Sequence, residues 1–371
     1  MTEAFYVPTD PSDLREVADM LRAADVFTPT FHAPETDIYD PIVYLHQKHR
    51  FKTETVLRLD RNVFTRILAL ARRMPPTNAH RLAAAVLAFA QCAQIEIEPN
   101  LALYEVAHHD GNAAAASELA LFRRADNVHP GYWTEIALGR DDCLGELPEV
   151  AHRLRPEAKT NFSMPLLRWR RNYILCLKLA ELELQAGNAT ERLRTFVRWS
   201  YEEFLLGGPA IALAAHYLAP NAPRKRLMKG LRSADRERAL EGIRNAAWDL
   251  SIVSQWLLDV EQQEQSYRLV LLTSFDTGVH RVARAVADTS SSGDVPENPL
   301  RRSLSHLWGS EAGSRLASEI EGCYGNRNGP HRRINAGTNS NTIEEFIAQG
   351  EARIREWKPS GTEGSRIVAD N

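Results

Sequence analysis

The sequence predicts an α/β protein: a small parallel sheet flanked by helices, interrupted by a large all-α insertion and carrying helical N- and C-terminal extensions. Three observations predict it. The apolar run Leu269, Val270, Leu271 and Leu272 stands between Arg268 and the polar group Thr273, Ser274, Phe275 and Asp276, and a short apolar run bounded in this way is a buried strand. Thr55 to Leu59 repeats the pattern, with Asp60 just past its end and a helix over Val63 to Arg72. Residues 111–240 lie between these two strand, acid and helix units and are dominated by helical spacing.

Residues 1–50 form a polar, Pro-containing extension with one helix near Asp13 to Ala24, which Ser12 is placed to cap, and then the aromatic segment Tyr39 to Phe51. They are expected to pack on the core. The α/β unit opens over 51–110. Gln94 to Glu98 alternates like a half-exposed strand, Pro99 breaks it, and Asn100 is placed to cap a helix with Glu105 on its second turn. Arg58, Glu96 and Glu98 are polar for a central parallel strand, which moves the 94–98 strand toward an edge and makes Glu98 a reserve ligand candidate.

The helical insertion over 111–240 includes Ala113 to Arg124, Pro165 to Ala186, Glu191 to Leu206 and Ala210 to Leu218, with Gly207, Gly208 and Pro209 as a break. The α/β unit resumes over 241–288. There Ile243, Ala247, Leu250, Ser254 and Leu257 make a helical stripe with Asp249 at its margin. Thr277 leads into a helix with Val282, Ala283, Val286 and Ala287 along one face. Thr289 to Glu297 reads as a linker. The tail over 298–358 has two helices around the Gly/Asn-rich stretch Gly322 to Asn341, with a disordered end after Lys358. No internal repeat is visible.

The 371 residues are 44% hydrophobic and 25% charged, ordinary for a globular chain able to bury a sizeable core. The apolar runs are too short to span a bilayer and MTEAFYVPTD lacks the features of a secretion signal, so a cytoplasmic protein with no membrane partner is expected. Cys92, Cys143, Cys176 and Cys323 have no C-x-x-C pairing and are expected to be buried thiols. No Gly-rich phosphate loop and no G-x-S-x-G motif appears, which counts against an NTPase and a serine hydrolase.

Four acids then stand out at element ends able to meet: Asp60, Glu105, Asp249 and Asp276. Ligands in open α/β sheets collect outside the carboxyl ends of the strands. A carboxylate set suits a hard cation such as Mg²⁺ or Mn²⁺ rather than zinc. The plainer alternative is that each acid caps a helix or pairs with a nearby arginine; Asp60 adjoins Arg61 and Asp276 is placed to cap its own helix.

Four motifs in this order, Asp60 with Asn62 in DRN, Glu105 in LALYE, Asp249 in AAWDL, and Ser274 with Asp276 in TSFD, resemble the PIN-like nucleases. That family has an Asp after its first strand within D-x-N, a Glu on the helix after the second, an Asp opening a later helix, and T-x-D after a following strand. The resemblance covers roughly residues 53–110 and 240–288, with the long interval between Glu105 and Asp249 taken up by the helical insertion. It implies a metal-dependent endonuclease, most directly an endoribonuclease on single-stranded RNA. Asp60, Glu105 and Asp249 would hold a catalytic Mg²⁺ or Mn²⁺ that activates water, Asp276 would complete the site or hold a second ion, and Asn62 and Ser274 would orient ligands or water. By analogy alone it suggests a toxin or phage-defence effector, controlled by a protein partner or by homo-oligomerisation. The alternatives are a DNA-directed nuclease of the same fold and a catalytically inactive interaction scaffold.

A net charge of −3 leaves nucleic-acid affinity to local patches. Arg224, Lys225, Arg226, Lys229 and Arg232, followed by Arg236 and Arg238, form one. Arg168, Arg170 and Arg171 around Trp169 form another, with the indole as a stacking surface. A solvated helix face competes with both readings. His108, His109 and His280 read as helix-surface residues, with a proton-shuttle or phosphate role open for His280. Trp248 and Trp256 read as core, and Asp141, Asp142, Glu146 and Glu149 as a solvated loop.

Overall fold

In the computed structural model the described residues are 6–30, 36–149, 160–220, 228–262, 268–286, 299–326, 337 and 339–358. In chain order the elements are α1 (Pro11–Ala24), β1 (Phe27–Pro29), α2 (Pro41–Phe51), β2 (Glu54–Leu59), α3 (Arg61–Ala71), α4 (Asn78–Cys92), β3 (Glu96–Glu98), α5 (Asn100–Asp110), α6 (Asn112–Asp126) and α7 (Pro130–Ala137). They continue with α8 (Leu167–Leu184), α9 (Ala189–Glu202), α10 (Gly208–Leu218), α11 (Arg236–Gln262), β4 (Arg268–Thr273), α12 (Thr277–Val286), α13 (Pro299–Trp308), α14 (Ser310–Gly325) and α15 (Ser340–Glu356). The chain divides into two units, the first comprising 1–164, 256–280 and 289–293 and the second the remainder. The helical stretch 111–240 is thereby shared, since α6 and α7 belong to the first unit and α8 to α10 to the second.

The first unit is built on a four-stranded mixed sheet in the order β1–β4–β2–β3. β2 runs parallel to both neighbours, with Val56 opposite Val270 and Arg58 opposite Leu272 in β4, and Arg58 opposite Glu98 in β3. The expected all-parallel sheet is corrected by β1, which pairs antiparallel with β4, Thr28 facing Leu272. The N-terminal segment therefore supplies an edge strand rather than only packing on the core. β3 is the other edge, as the polarity of Glu96 and Glu98 foretold.

Period-two alternation sends Leu57, Leu59, Leu271 and Phe27 to one core, where they meet α1, α3, α4 and α5. The centre of that core is α4, whose small side chains Ala83 to Ala90 are buried on every side around Val86, Leu87 and Phe89. Arg58 points to the opposite face and is buried, yet it is satisfied: Nε and Nη2 donate to Asp259 at 3.0 and 3.2 Å and Nη1 to Glu98 at 3.1 Å. The polar break in β2 is thus an internal ion-pair network. Glu98, also accepting from Asn100 Nδ2 at 2.9 Å, is tied into it through Oε1. Asn100 is the first residue of α5, not its cap. Asp10, not Ser12, caps α1: its Oδ1 accepts from the Ser12 amide at 2.8 Å.

The second unit is helical among its described residues. Trp169 stacks on Tyr173 with ring centroids 5.0 Å apart and lies 5.4 Å from Trp248, while Asn172 Nδ2 donates to Ser251 and Ser254 at 3.0 and 3.2 Å, fixing α8 on α11. The tail holds three helices, α13 to α15, where two were expected; Gly309, in the left-handed region, separates α13 from α14. Gly313 allows those two to cross closely, because a Cβ there would lie 2.5 Å from the Ser305 Cα. No helix among the described residues is long and apolar enough to cross a membrane. The linker over 289–297 and the end after Lys358 lie outside the described residues.

Candidate functional site

Strand order reverses at β2: the chain leaves it through α3 and α4 to reach β3 on one side, while β4 lies on the other. The crevice at such a reversal, beyond the carboxyl ends of the strands, is where doubly wound sheets place their ligands. Asp60 follows β2 here and Ser274 to Asp276 follow β4. The β2–β4 ladder continues to the acid itself, the Asp60 amide donating to the Thr273 carbonyl at 2.9 Å.

Asp60 occupies the N-cap position of α3, but its carboxylate makes no capping hydrogen bond. It turns instead to the neighbouring strand end: Ser274 Oγ donates to Oδ2 at 2.6 Å and Asn62 Nδ2 donates to the same oxygen. Asn62 also donates to Ser274 Oγ at 3.1 Å and accepts from the Phe275 amide at 3.1 Å, and Ser274 Oγ accepts from the Asp276 amide at 3.0 Å. The D-x-N and S-x-D motifs thus interlock in one network.

Asp60 is 6% exposed. Burial pushes its carboxyl up to about 6; the Ser274 hydroxyl, the nearby Arg61 amide and the Arg66 guanidinium oppose the rise, and the Asp276 carboxylate adds to it. Asp276 is exposed, and its Oδ1 accepts from the Gly278 amide at 2.7 Å, the capping role its position allowed. Glu105 reaches the same end of the first unit from α5, accepting from Arg61 Nη1 at 3.2 Å.

Asp249 belongs to the second unit. It does not open a helix: α11 begins at Arg236, and Asp249 lies in its interior, half-buried at the margin of the apolar stripe. Burial first, and then Asp249, raise the thiol pKa of Cys176. Among the described residues no group of three His, Cys, Asp or Glu side chains is arranged to hold a metal ion. The acids joined by the hydrogen-bond network are Asp60 and Asp276, with oxygens from Asn62 and Ser274 completing the polar surround.

Two neighbours of the network, Arg66 and Phe275, escaped the sequence reading, and a third, His280, was expected on a helix surface. His280 is not a surface residue but 2% exposed, with Nδ1 2.7 Å from Thr28 Oγ1 and Nε2 3.0 Å from the Ser274 carbonyl. It ties β1 to the turn that carries Ser274. Arg66, one helical turn after Asn62, donates to the Asn62 carbonyl and lies over the Phe275 ring, its Cζ 5.5 Å from the centroid. The i, i+4 spacing of Asn62 and Arg66 was the available signal for Arg66; Phe275 and the burial of His280 had none without β1.

The proposed Trp169 stacking surface is corrected. The indole is buried in the helical core, and its flanking arginines have partners of their own: Arg168 donates to Gln255, Arg171 to the Gly337 carbonyl at 2.5 Å, and Arg170 pairs with Glu344. Arg224, Lys225 and Arg226 lie outside the described residues. Lys229 and Arg232 are exposed, Arg232 pairing with Glu183 at 3.2 Å, and Arg236 is drawn onto the Trp357 ring. His108 and His109 are exposed, Trp248 and Trp256 are core, and Cys143 is exposed where a buried thiol was expected. Asp141, Asp142 and Glu146 are exposed in an irregular segment, as expected. Comparison with protein-family models, with curated proteins and with solved structures finds no match.

Proposed function

We propose that the crevice beyond β2 and β4 is a divalent-cation site and that the protein is a PIN-like, metal-dependent endonuclease acting on phosphodiesters, with single-stranded RNA as substrate. The observation that carries this reading is the state of Asp60: a buried carboxylate with only neutral hydrogen-bond donors, no ion-pair partner among the described residues, and a second carboxylate raising its pKa. A buried charge of this kind is destabilising until a counter-charge is supplied. Hydroxyl, amide and carboxylate oxygens without thiol or imidazole fit Mg²⁺ or Mn²⁺. Asp60 and Asp276 would hold the ion, and Glu105 would join them on release from Arg61. When bound, the ion supplies charge stabilisation at the phosphate and a more acidic attacking water. Asn62 and Ser274 keep the Asp60 carboxylate in one orientation, the preorganisation that positional catalysis requires.

The Glu105–Arg61 pair favours a second reading. A guanidinium neutralising one acid is what a scaffold with a retired site would need, and it makes the same acids structural. Calorimetry with Mn²⁺ separates the two. Wild type binds with loss of affinity in Asp60→Asn and Asp276→Asn, and labelled single-stranded RNA is cleaved with Mn²⁺ or Mg²⁺ but not with EDTA. Absence of both Mn²⁺ binding and cleavage establishes the scaffold. A single-stranded DNA arm decides the substrate, and Asp249→Asn, assayed alongside, decides whether the fourth acid of the sequence pattern contributes.

A further inference from the structure

Arg66 stands beside the carboxylate network without being used by it. Its guanidinium acts on Asp60 through space, yet no carboxylate among the described residues lies within ion-pair distance of it. One N–H is given to the Asn62 carbonyl and the planar group lies over the half-buried Phe275 ring. An arginine acting as structural counter-charge would close on Asp60 or Asp276. This one is held off them by a backbone acceptor and an aromatic face, the pair of restraints that pre-orients a guanidinium for a planar, bidentate anion.

Charge counting sets the kind of anion. Asp60, Asp276 and Glu105 contribute three negative charges and Arg61 and Arg66 two positive ones, leaving one negative; a divalent cation turns this into one positive. A phosphodiester carries one negative charge. Arg61 is committed to Glu105, so Arg66 is the cation with donors to spare.

We propose that Arg66, braced on Phe275, is the substrate-phosphate binding residue of this site, gripping the non-bridging oxygens of a nucleic-acid phosphodiester next to the carboxylates. This rests on the nuclease reading and deepens it.

The test is fluorescence anisotropy of a labelled single-stranded RNA with the full chain in Ca²⁺, over a salt series from about 50 to about 200 mM. Arg66→Gln is expected to weaken binding about tenfold and to flatten the slope of log affinity against log salt by about 0.7, the change for one phosphate contact on a single strand. Arg66→Lys retains the slope and loses affinity severalfold, because charge survives but the planar fork does not. Mn²⁺ calorimetry on the same variants is expected to be unchanged. Intact Mn²⁺ binding with the affinity and slope of Arg66→Gln at wild-type values overturns the role of Arg66 while leaving the metal site standing. Loss of Mn²⁺ binding by the wild type overturns the nuclease reading instead, and wild type that binds no RNA overturns the present inference. If Arg66→Gln fails to fold, wild-type affinity in Arg66→Lys overturns it equally. A single-stranded DNA arm identifies which phosphodiester is preferred.

Discussion

Replacing Asp60 by Asn should stabilise the metal-free protein, although it removes a side chain at the centre of a hydrogen-bond network. The folded-state pKa of about 6 lies above the ordinary value of 3.8, so the native state binds this proton more tightly than the unfolded chain does. The stabilisation from that proton is fully present below about pH 4 and is lost as the pH rises through about 6. At about 1.4 kcal/mol per pKa unit, the ionised carboxylate is less stabilising than the protonated one by about 3 kcal/mol at neutral pH. An amide keeps the shape and removes the charge. It also weakens the bonds from Ser274 and Asn62, which lose their charge assistance at about 1 kcal/mol each. The net gain is about 1 kcal/mol. In a unit of about two hundred residues this raises Tm by about 3 °C. The assay is thermal unfolding in EDTA at pH 7.5 and at pH 4.5, with a Mn²⁺ arm. Asp60→Asn should melt above wild type at pH 7.5, lose that advantage at pH 4.5, and fall below wild type in Mn²⁺, where only the carboxylate gains from the ion. An Asn variant less stable than wild type by the same amount at both pH values would refute the view that the site stores electrostatic strain.

Other perturbations probe the frame around the site. Wild type in EDTA should gain stability as pH falls from 7 toward 5, with the Asp60 contribution disappearing in Asp60→Asn, as followed by urea midpoints. Arg58→Ala should destabilise by about 2–3 kcal/mol, since it removes the buried guanidinium that bridges the half-buried Asp259 and Glu98, and a loss under about 1 kcal/mol in urea unfolding would remove the network from the account. Thr28→Val should cost about 1 kcal/mol by removing the hydrogen bond between Thr28 Oγ1 and His280 Nδ1, read as faster hydrogen exchange in β1 and β4. Gly313→Ala should lower Tm although alanine favours helices, because the added Cβ meets the α13 backbone, and a neutral or raised Tm would contradict the close crossing.

The sheet was readable where a strand announces itself locally. Residues 55–59 and 269–272 are apolar enough to be central strands, and the acids one and four positions past them were visible for the same reason. β1 was unreadable: three residues ending in Pro29 have no periodicity, and their partner Leu272 is remote in sequence. Missing β1 carried a second error, because Thr28 on that strand is a hydrogen-bond partner of the buried His280. α4 was missed because Ala83 to Ala90 are buried on all sides, leaving no amphipathic stripe. Trp169 was misjudged by its neighbours in sequence. Arginines one and two positions away suggest an exposed segment, but the helical period turns them to other faces while the indole enters the core. Two of the four acids met as the motif order suggested, and Glu105 came to the same unit. The burial of Asp60, the feature with most chemical content, depends on packing that no local pattern encodes.

The pairing of β4 between β1 and β2 also fixes a schedule for synthesis. Asp60 leaves the ribosome early, but its Ser274 partner and the strand that brings it follow only after residues 165–255 have been translated. Until then the sheet lacks a central member, and the nascent chain presents an aspartate with no assembled surround. The second unit is split in the same way, since α8 packs on α15 and α10 on α13, both of which follow β4 in the chain, so neither unit is complete before β4 has been made. Whatever chemistry the crevice performs is therefore withheld from any product that ends before β4 and the turn carrying Ser274 and Asp276.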